Sequence, residues 1–271
     1  MVNIRYILSG VLLLPLFSCQ QKMAVQTTAA NKTDLQELRV LSYNIHHANP
    51  PGKPGLIDIA AIARVINEAR PDIVALQEVD KNTTRSGQID EAKLIAEKTG
   101  MHYQFYKAID HEGGDYGLAI LSRFELEAPQ LTHLPQETKA ENRILASTVL
   151  NINGQKIIIG NTHLDATRGQ ENRIVQMKEI LKIFSLEKMP VILCGDLNSV
   201  AGSEPINLLD SLFKRTCLID CPGTIPVEKP FRTIDYIAVR NTWPLLSYEV
   251  IPETYASDHR PVLAVFKTGK L

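Results

Sequence analysis

The sequence predicts an α/β fold with mixed sheets, on three observations. Strand-like and helix-like runs alternate along the chain. An Asn-Gly pair, Asn153-Gly154, joins two strand-like runs. No Gly/Ser linker or change of composition interrupts the chain after residue 38. Hairpins mixed with strand–helix–strand units place parallel and antiparallel pairs in the same sheets. One domain over 38–271 follows.

In order, residues 38–45 are apolar-rich and read as a strand. Over 56–69, Leu56, Ile59, Ala60, Ala63 and Ile66 recur at a helical period, and Pro71 stops the helix. Residues 73–76 are a short buried strand. Residues 91–99 are a helix closed by Gly100. Strands are expected over 101–108, 116–122, 145–152 and 156–162, the last two joined by the Asn-Gly hairpin signal. An amphipathic helix over 171–186, a buried strand over 190–194 and a helix over 203–213 follow. Strands over 234–239, 245–251 and 261–266 close the chain.

Composition narrows the function classes. The 271 residues are 44% hydrophobic and 22% charged, which excludes a disordered or collagenous chain. A net charge of -1 gives little field for gripping long nucleic acid through its phosphates. Six per cent aromatic content with one Trp makes a poor stacking platform for single strands.

The N-terminus reads as an address. Residues 1–33 contain no Asp or Glu. Arg5 precedes an apolar run that is too short for the roughly 20 residues a spanning helix needs, and suits a secretory signal. The run ends in Leu16-Phe17-Ser18-Cys19, which resembles a bacterial lipobox. Cys19 is therefore the expected lipidation site, residues 1–18 the signal and residues 19–37 a flexible polar tether. Export to the periplasmic face or cell surface, anchored by lipid, is expected. Loss of the signal removes only Arg5 from the charges, so the balance becomes -2. Cys194 lies in an apolar run and reads as a buried, inert thiol. Cys217 and Cys221 read equally as a small disulfide loop or as two free thiols.

Polar residues suited to chemistry recur at strand ends: Asn44, Glu78, His163, Asp196 with Asn198, Asp235, and Asp258-His259. Strand ends of packed sheets gather at one rim. Carboxylates and amides without clustered Cys or closely spaced His suit Mg²⁺ or Mn²⁺ rather than zinc. Such an ion polarises a phosphoryl oxygen and stabilises a leaving oxyanion. A carboxylate beside a His orients the ring. Phosphoester cleavage needs little beyond such positioning and electrostatics.

Seven segments carry a family resemblance: Ser42-Tyr43-Asn44-Ile45, Leu76-Gln77-Glu78-Val79, the run from Tyr116 to Arg123, Asn161-Thr162-His163-Leu164-Asp165, Gly195-Asp196-Leu197-Asn198, Ile234-Asp235-Tyr236-Ile237 and Ser257-Asp258-His259-Arg260-Pro261. Together they resemble the endonuclease/exonuclease/phosphatase superfamily of metal-dependent phosphoesterases. The resemblance covers residues 38–267 in the family's order. It implies a four-layer α/β sandwich, with two mixed sheets face to face and helices outside. It implies Glu78 as the main metal carboxylate, with Asn44 helping and Asp258 as a second metal-side ligand. Asp196 would orient or deprotonate the attacking water, and Asn198 would steady the phosphate or nucleophile. His163 would donate to a phosphate oxygen. His259, oriented by Asp235, would contact the scissile phosphate, and Tyr116 would touch it.

Other polar residues read as structural. Arg123 and Arg143 could pair with substrate phosphate but better suit surface or intrachain salt bridges, and Arg173 and Gln176 suit a structural helix face. His46-His47 reads as a solvated loop able to line a pocket rim, and His102, His111 and His133 as incidental. The expected function is hydrolysis of a phosphoester on a small molecule or lipid headgroup, by a monomer, outside the cytoplasm. A secreted nuclease and a non-catalytic surface module binding a phosphorylated ligand are the alternatives. The 202–232 stretch carries no substrate signature, and no apolar hairpin for membrane contact is evident.

Overall fold

The structure is a computed structural model and describes residues 1–2 and 35–269. The lipobox, Cys19 and nearly all of the expected signal and tether lie outside the described residues. Leu35 is tied to the body: its N–H donates to Asn153 Oδ1 and its carbonyl accepts from Asn153 Nδ2.

Among the described residues, twelve strands form two six-stranded mixed sheets. The first holds β1 (Glu37–Asn44), β2 (Ile73–Lys81), β3 (His102–His111), β4 (Gly114–Ser122), β11 (Leu245–Val250) and β12 (Val262–Lys267), in the order β11-β12-β1-β2-β4-β3. The second holds β5 (Glu127–His133), β6 (Ile144–Ile152), β7 (Gln155–His163), β8 (Val191–Asp196), β9 (Lys214–Arg215) and β10 (Asp235–Arg240), in the order β5-β6-β7-β8-β10-β9. The helices are α1 (Ile59–Ala69), α2 (Glu91–Thr99), α3 (Glu171–Ser185) and α4 (Glu204–Asp210).

Strand periodicity builds the four layers, because successive side chains point to opposite faces. Val40, Ile73, Ala75, Leu118 and Ile120 meet Ile157, Ile159, Ile192, Cys194 and Ile237 in the core between the sheets. Their neighbours Leu41, Val74, Leu76, Ala119 and Leu121 face outward, under Ile62, Val65 and Ile66 of α1 and Ile95 of α2. On the far side Ile158, Leu193 and Ala238 lie under Met177, Ile180 and Phe184 of α3 and Ile206 and Leu209 of α4. Both faces of the central strands are covered, which is why those runs read as continuously apolar.

The element reading holds, with shifted ends. Helix α1 starts at Ile59 because the Asp58 side chain caps it, accepting from Ala61 N–H at 2.9 Å. Strand β2 runs past Leu76 to Lys81 through a bulge between Leu76 and Val79. The sequence reading has no counterpart for the two-residue β9 or for β5. That strand lies at a sheet edge, largely exposed, with a left-handed Ala128 followed by Pro129, so it shows neither alternation nor a buried run. Cys217 and Cys221 form a disulfide, with Cα atoms 5.8 Å apart. Cys194 is a buried free thiol whose pKa burial pushes well up.

Candidate active site

The inward face of each central strand ends in a polar residue. Asn161 and His163 continue the Ile157–Ile159 face of β7, Asp196 continues Cys194 on β8, and Asp235 precedes Ile237 on β10. Register sets them side by side, with His163 opposite Asp196 and Asp196 opposite Asp235. Gly195 permits this packing: a Cβ there would lie 2.3 Å from the Thr162 carbonyl oxygen. From the other sheet, Asn44 ends the Val40 face of β1 and faces Asp196 across the gap.

Asp196 is the hub. Its Oδ2 accepts from Asn44 Nδ2 at 3.1 Å and lies 3.5 Å from His163 Nε2 and 3.8 Å from His259 Nε2. Its Oδ1 accepts from the Asn198 N–H at 2.9 Å. Asn198 follows in left-handed backbone, which Asn tolerates, and its Nδ2 donates to the Leu164 carbonyl. Burial and the nearby Asp235 push the Asp196 pKa up to about 7, against the pull of His259.

The two histidines are held in different protonation states. His259 Nδ1 donates to both Asp235 oxygens, at 2.9 and 3.1 Å. Burial works against its charge, but the charge of Asp235, its hydrogen bond and Asp196 outweigh that and raise the pKa to about 10. His163 Nδ1 lies 3.1 Å from Arg143 Nη1. A guanidinium only donates, so Nδ1 accepts and Nε2 carries the proton. Burial, then Arg143 and His259, hold the His163 pKa well below its usual value. Both rings thus present Nε2–H toward Asp196 Oδ2.

Asn44 bridges to the open side of the site, where its Nδ2 also donates to Glu78 Oε1 at 2.9 Å. Glu78 sits at the β2 bulge in left-handed backbone, φ 55°, and is half-buried. The bulge carries it out of the strand alternation. Behind it, Gln77 Nε2 donates to Asn161 Oδ1 at 2.8 Å, and Asn161 Nδ2 donates to the Leu76 and Ala119 carbonyls. This polar bridge joins the two sheets beneath the site. Asp258 joins through Ser257, whose Oγ donates to the Asn44 carbonyl at 2.7 Å and lies 3.4 Å from Asp258 Oδ1. Among the described residues neither Glu78 nor Asp258 forms an ion pair with a cation. Two half-buried carboxylates outside any such ion pair, beside an amide, fit a hard divalent cation.

All nine residues singled out for chemistry therefore lie at one end of the sandwich. Tyr116 stands somewhat apart. It lines a crevice with Arg143 and His163, and burial, then the charge of Glu78, keep its hydroxyl protonated. Arg123 pairs with Asp72 at 3.2 Å. Arg143 does form an intrachain pair, with Glu141 at 3.0 Å, but it is buried and grips His163. The direct pairing of β6 with β7, which sets Leu145 opposite Thr162, brings the two together, and no local motif encodes that contact. Arg173 donates to the Asp165 and Thr167 carbonyls and Gln176 accepts from Asp165 N–H, so both buttress the loop after β7. The His111 ring lies tilted beside Tyr116, ring centres 5.9 Å apart, while His102 and His133 lie on β3 and β5.

His46-His47 departs from a plain solvated loop. His46, His47 and Ala48 form a single left-handed turn after β1, with φ 46°, 42° and 51°. The turn curls the half-buried rings back to Glu78, and each residue offers a ligand atom within 4.8 Å of the others. Burial, then Arg85 and His46, lower the His47 pKa to about 4. Asp196, Asp235 and His259 form a second such group, in which the hydrogen bond between Asp235 and His259 already occupies Nδ1.

The chain is similar in sequence or fold to known proteins. Over 134 residues the chain is 29% identical to a 5'-tyrosyl-DNA phosphodiesterase of Caenorhabditis elegans, covering 49% of this chain and 33% of that protein. Over 159 residues it is 26% identical to an inositol phosphosphingolipids phospholipase C of Saccharomyces cerevisiae, covering 51% of this chain and 32% of that protein. The chain spans about a third of the length of these two curated relatives. A mannosyl-6-phosphatase from Bacteroides thetaiotaomicron has the same fold, with TM-score 0.67 at 19% identity over 84% of this chain and 98% of that one. Residues 41–259, most of the chain and every residue of the hub, match the endonuclease/exonuclease/phosphatase family, and the chain belongs to that family.

Proposed function

We propose that residues 38–271 form a divalent-metal-dependent phosphoesterase that hydrolyses a small-molecule or lipid-headgroup phosphoester. The observation that carries this reading is the arrangement about Asp196 Oδ2. Two imidazole Nε2–H groups and an amide N–H converge on it from both sheets. A phosphate seated over that point meets the same donors.

Glu78, Asn44 and Asp258 would hold Mg²⁺ or Mn²⁺. Bound there, the cation would polarise a phosphoryl oxygen and stabilise the leaving oxyanion. His259, kept protonated by Asp235, supplies a fixed positive charge to the scissile phosphate. His163, kept neutral with its proton on Nε2 by Arg143, donates a hydrogen bond to a phosphoryl oxygen. Asp196 has a pKa near neutrality, which suits a group that takes a proton from attacking water. Asn198 steadies the nucleophile or phosphate, and Tyr116 closes the crevice beside His163.

The near-neutral charge and the names of two relatives, a phospholipase C and a sugar phosphatase, support a small or headgroup substrate. The name of a third, a tyrosyl-DNA phosphodiesterase, keeps a nuclease in view. The lipobox reading at Cys19 adds export and a lipid anchor to the proposal, and the enzyme is taken as a monomer. The test is turnover by purified protein with Mg²⁺ on plasmid DNA, mono- and bis-nitrophenyl phosphate, and phospholipid headgroup esters. Turnover of the small esters with little DNA cleavage supports the reading. Efficient DNA cleavage makes it a nuclease. No metal-dependent turnover on any of them leaves a binding module. Loss of membrane partition in Cys19→Ala tests the anchor.

A further inference from the structure

The mechanism above uses Glu78 but neither of the histidines packed beside it. Three observations single out that pair. The His46 and His47 rings stand 4.5 Å apart, and each has a nitrogen within 4.8 Å of a Glu78 oxygen and of the other. Ligands of one ion at about 2 Å have separations inside that limit. Next, His46 Nδ1 lies 3.0 Å from the Asn49 carbonyl. A carbonyl only accepts, so Nδ1 carries the proton and Nε2 offers a bare lone pair. Metal-binding imidazoles are oriented by such a bond from their second nitrogen. Finally, His47 Nδ1 is buried and has no hydrogen-bond partner. Buried polar atoms are rarely left that way.

The backbone agrees. Three consecutive left-handed non-glycine residues are unfavourable, and such conformations persist where surrounding structure demands them. The turn is held by the Ala48 N–H to the Ile45 carbonyl and by the Asn49 N–H to the His46 carbonyl.

We propose that His46, His47 and Glu78 form a nitrogen-rich metal site that takes a first-row transition dication of the Zn²⁺ class in preference to Mg²⁺. Imidazole nitrogen suits those ions, whereas Mg²⁺ keeps to oxygen and water. Two histidines and a glutamate are also the protein ligands of several zinc hydrolases, with the fourth position open. The proposal rests on Glu78 standing at the metal end of the pocket, and it changes which ion that end selects.

The test is binding, read without substrate. Metal-free full-length protein is titrated with Co²⁺ and followed by its visible d–d absorption, then competed with Zn²⁺ and with Mg²⁺. Zn²⁺ is expected to abolish the band at stoichiometric levels, while Mg²⁺ fails at concentrations about 100-fold higher. His46→Asn and His47→Asn, chosen because Asn tolerates the left-handed turn, are each expected to weaken Co²⁺ at least about 10- to 100-fold. X-ray absorption of the Zn²⁺-loaded wild type needs no variant and is expected to show two imidazoles. Unchanged Co²⁺ affinity in both variants, equal competition by Mg²⁺, or an oxygen-only Zn²⁺ shell overturns the proposal. Failure of the phosphoesterase reading leaves these binding outcomes standing, and their failure leaves Mg²⁺-supported turnover intact.

Discussion

The two sheets supply the two halves of the pocket by opposite means. The second sheet uses regularity. His163, Asp196 and Asp235 lie opposite one another on β7, β8 and β10, and all three are almost fully buried. The first sheet uses irregularity. Glu78 reaches the pocket through a bulge and a left-handed residue, and His46-His47 through a left-handed turn. Its groups are half-buried and open to solvent ions. Register delivers a rigid, desolvated cluster in which protons are held at stated atoms. Broken register delivers carboxylate and imidazole at a more open rim, where a cation can enter. The buried half sets protonation, and the open half sets metal choice.

The largest expected effect contrasts the halves directly. Asp196→Ala removes the hub that both Nε2–H groups and Asn44 face, and turnover is expected to fall about 10³-fold or more. Added metal restores none of that loss. Glu78→Gln keeps the shape of the bulge and removes one charge, so its loss is expected to be partly recovered by raising Mg²⁺. Equal rescue of both variants would show that the two halves are not separate devices.

A second contrast is carried by pH. In the free enzyme the base, Asp196, titrates near 7, so activity is expected to rise through neutrality. It is expected to fall again as His259 loses its proton near 10. Asp235→Asn removes the charge that holds that proton while keeping an oxygen for Nδ1. The alkaline limb is then expected to move down by more than one pH unit, with turnover lower by about 10- to 100-fold. Stability follows the same sign. A His whose folded pKa is raised stabilises fully below its unfolded value of about 6.5, and the benefit is lost as pH rises through 10. Asp235→Asn is expected to lose that contribution, read as a smaller drop in unfolding midpoint between pH 6 and pH 10 than in the wild type. An alkaline limb unmoved in the variant would assign it to another group.

The same contrast explains what could be read from the sequence. Strand alternation and short polar segments after apolar runs exposed Asn44, His163, Asp196 and Asp235, because in regular strands position in the chain is position on a face. Glu78 was legible as a residue but not as a geometry, since a bulge leaves no mark in Leu76-Gln77-Glu78-Val79. Three left-handed residues at His46, His47 and Ala48 run against intrinsic preference, so local propensity points away from them. Arg143 reaches His163 only through the pairing of Leu145 with Thr162, a contact made by sheet assembly. Strand β5 lacks any buried face to pattern its sequence. Strained or edge segments escape sequence rules for the same reason that tertiary contacts must hold them.

The smallest expected effect on chemistry tests whether the regular half holds the irregular one in place. Asn161 projects from β7 and reaches across the core to Gln77 and to the carbonyls of Leu76 and Ala119, directly beneath the bulge. Asn161→Ala strips a donor from each carbonyl and the acceptor from Gln77, whose Oε1 already lacks a partner. Groups buried without partners cost about 1–3 kcal/mol each, so a loss of about 2–4 kcal/mol in unfolding free energy is expected. Urea unfolding should show a lower midpoint at an unchanged slope. If the bridge positions Glu78, the Mg²⁺ concentration for half-maximal turnover rises a few-fold while the pH limbs stay where Asp196 and His259 put them. Lower stability with unchanged Mg²⁺ dependence would mean that the bulge holds its own shape. The two halves of the pocket would then be independent in energy as well as in construction.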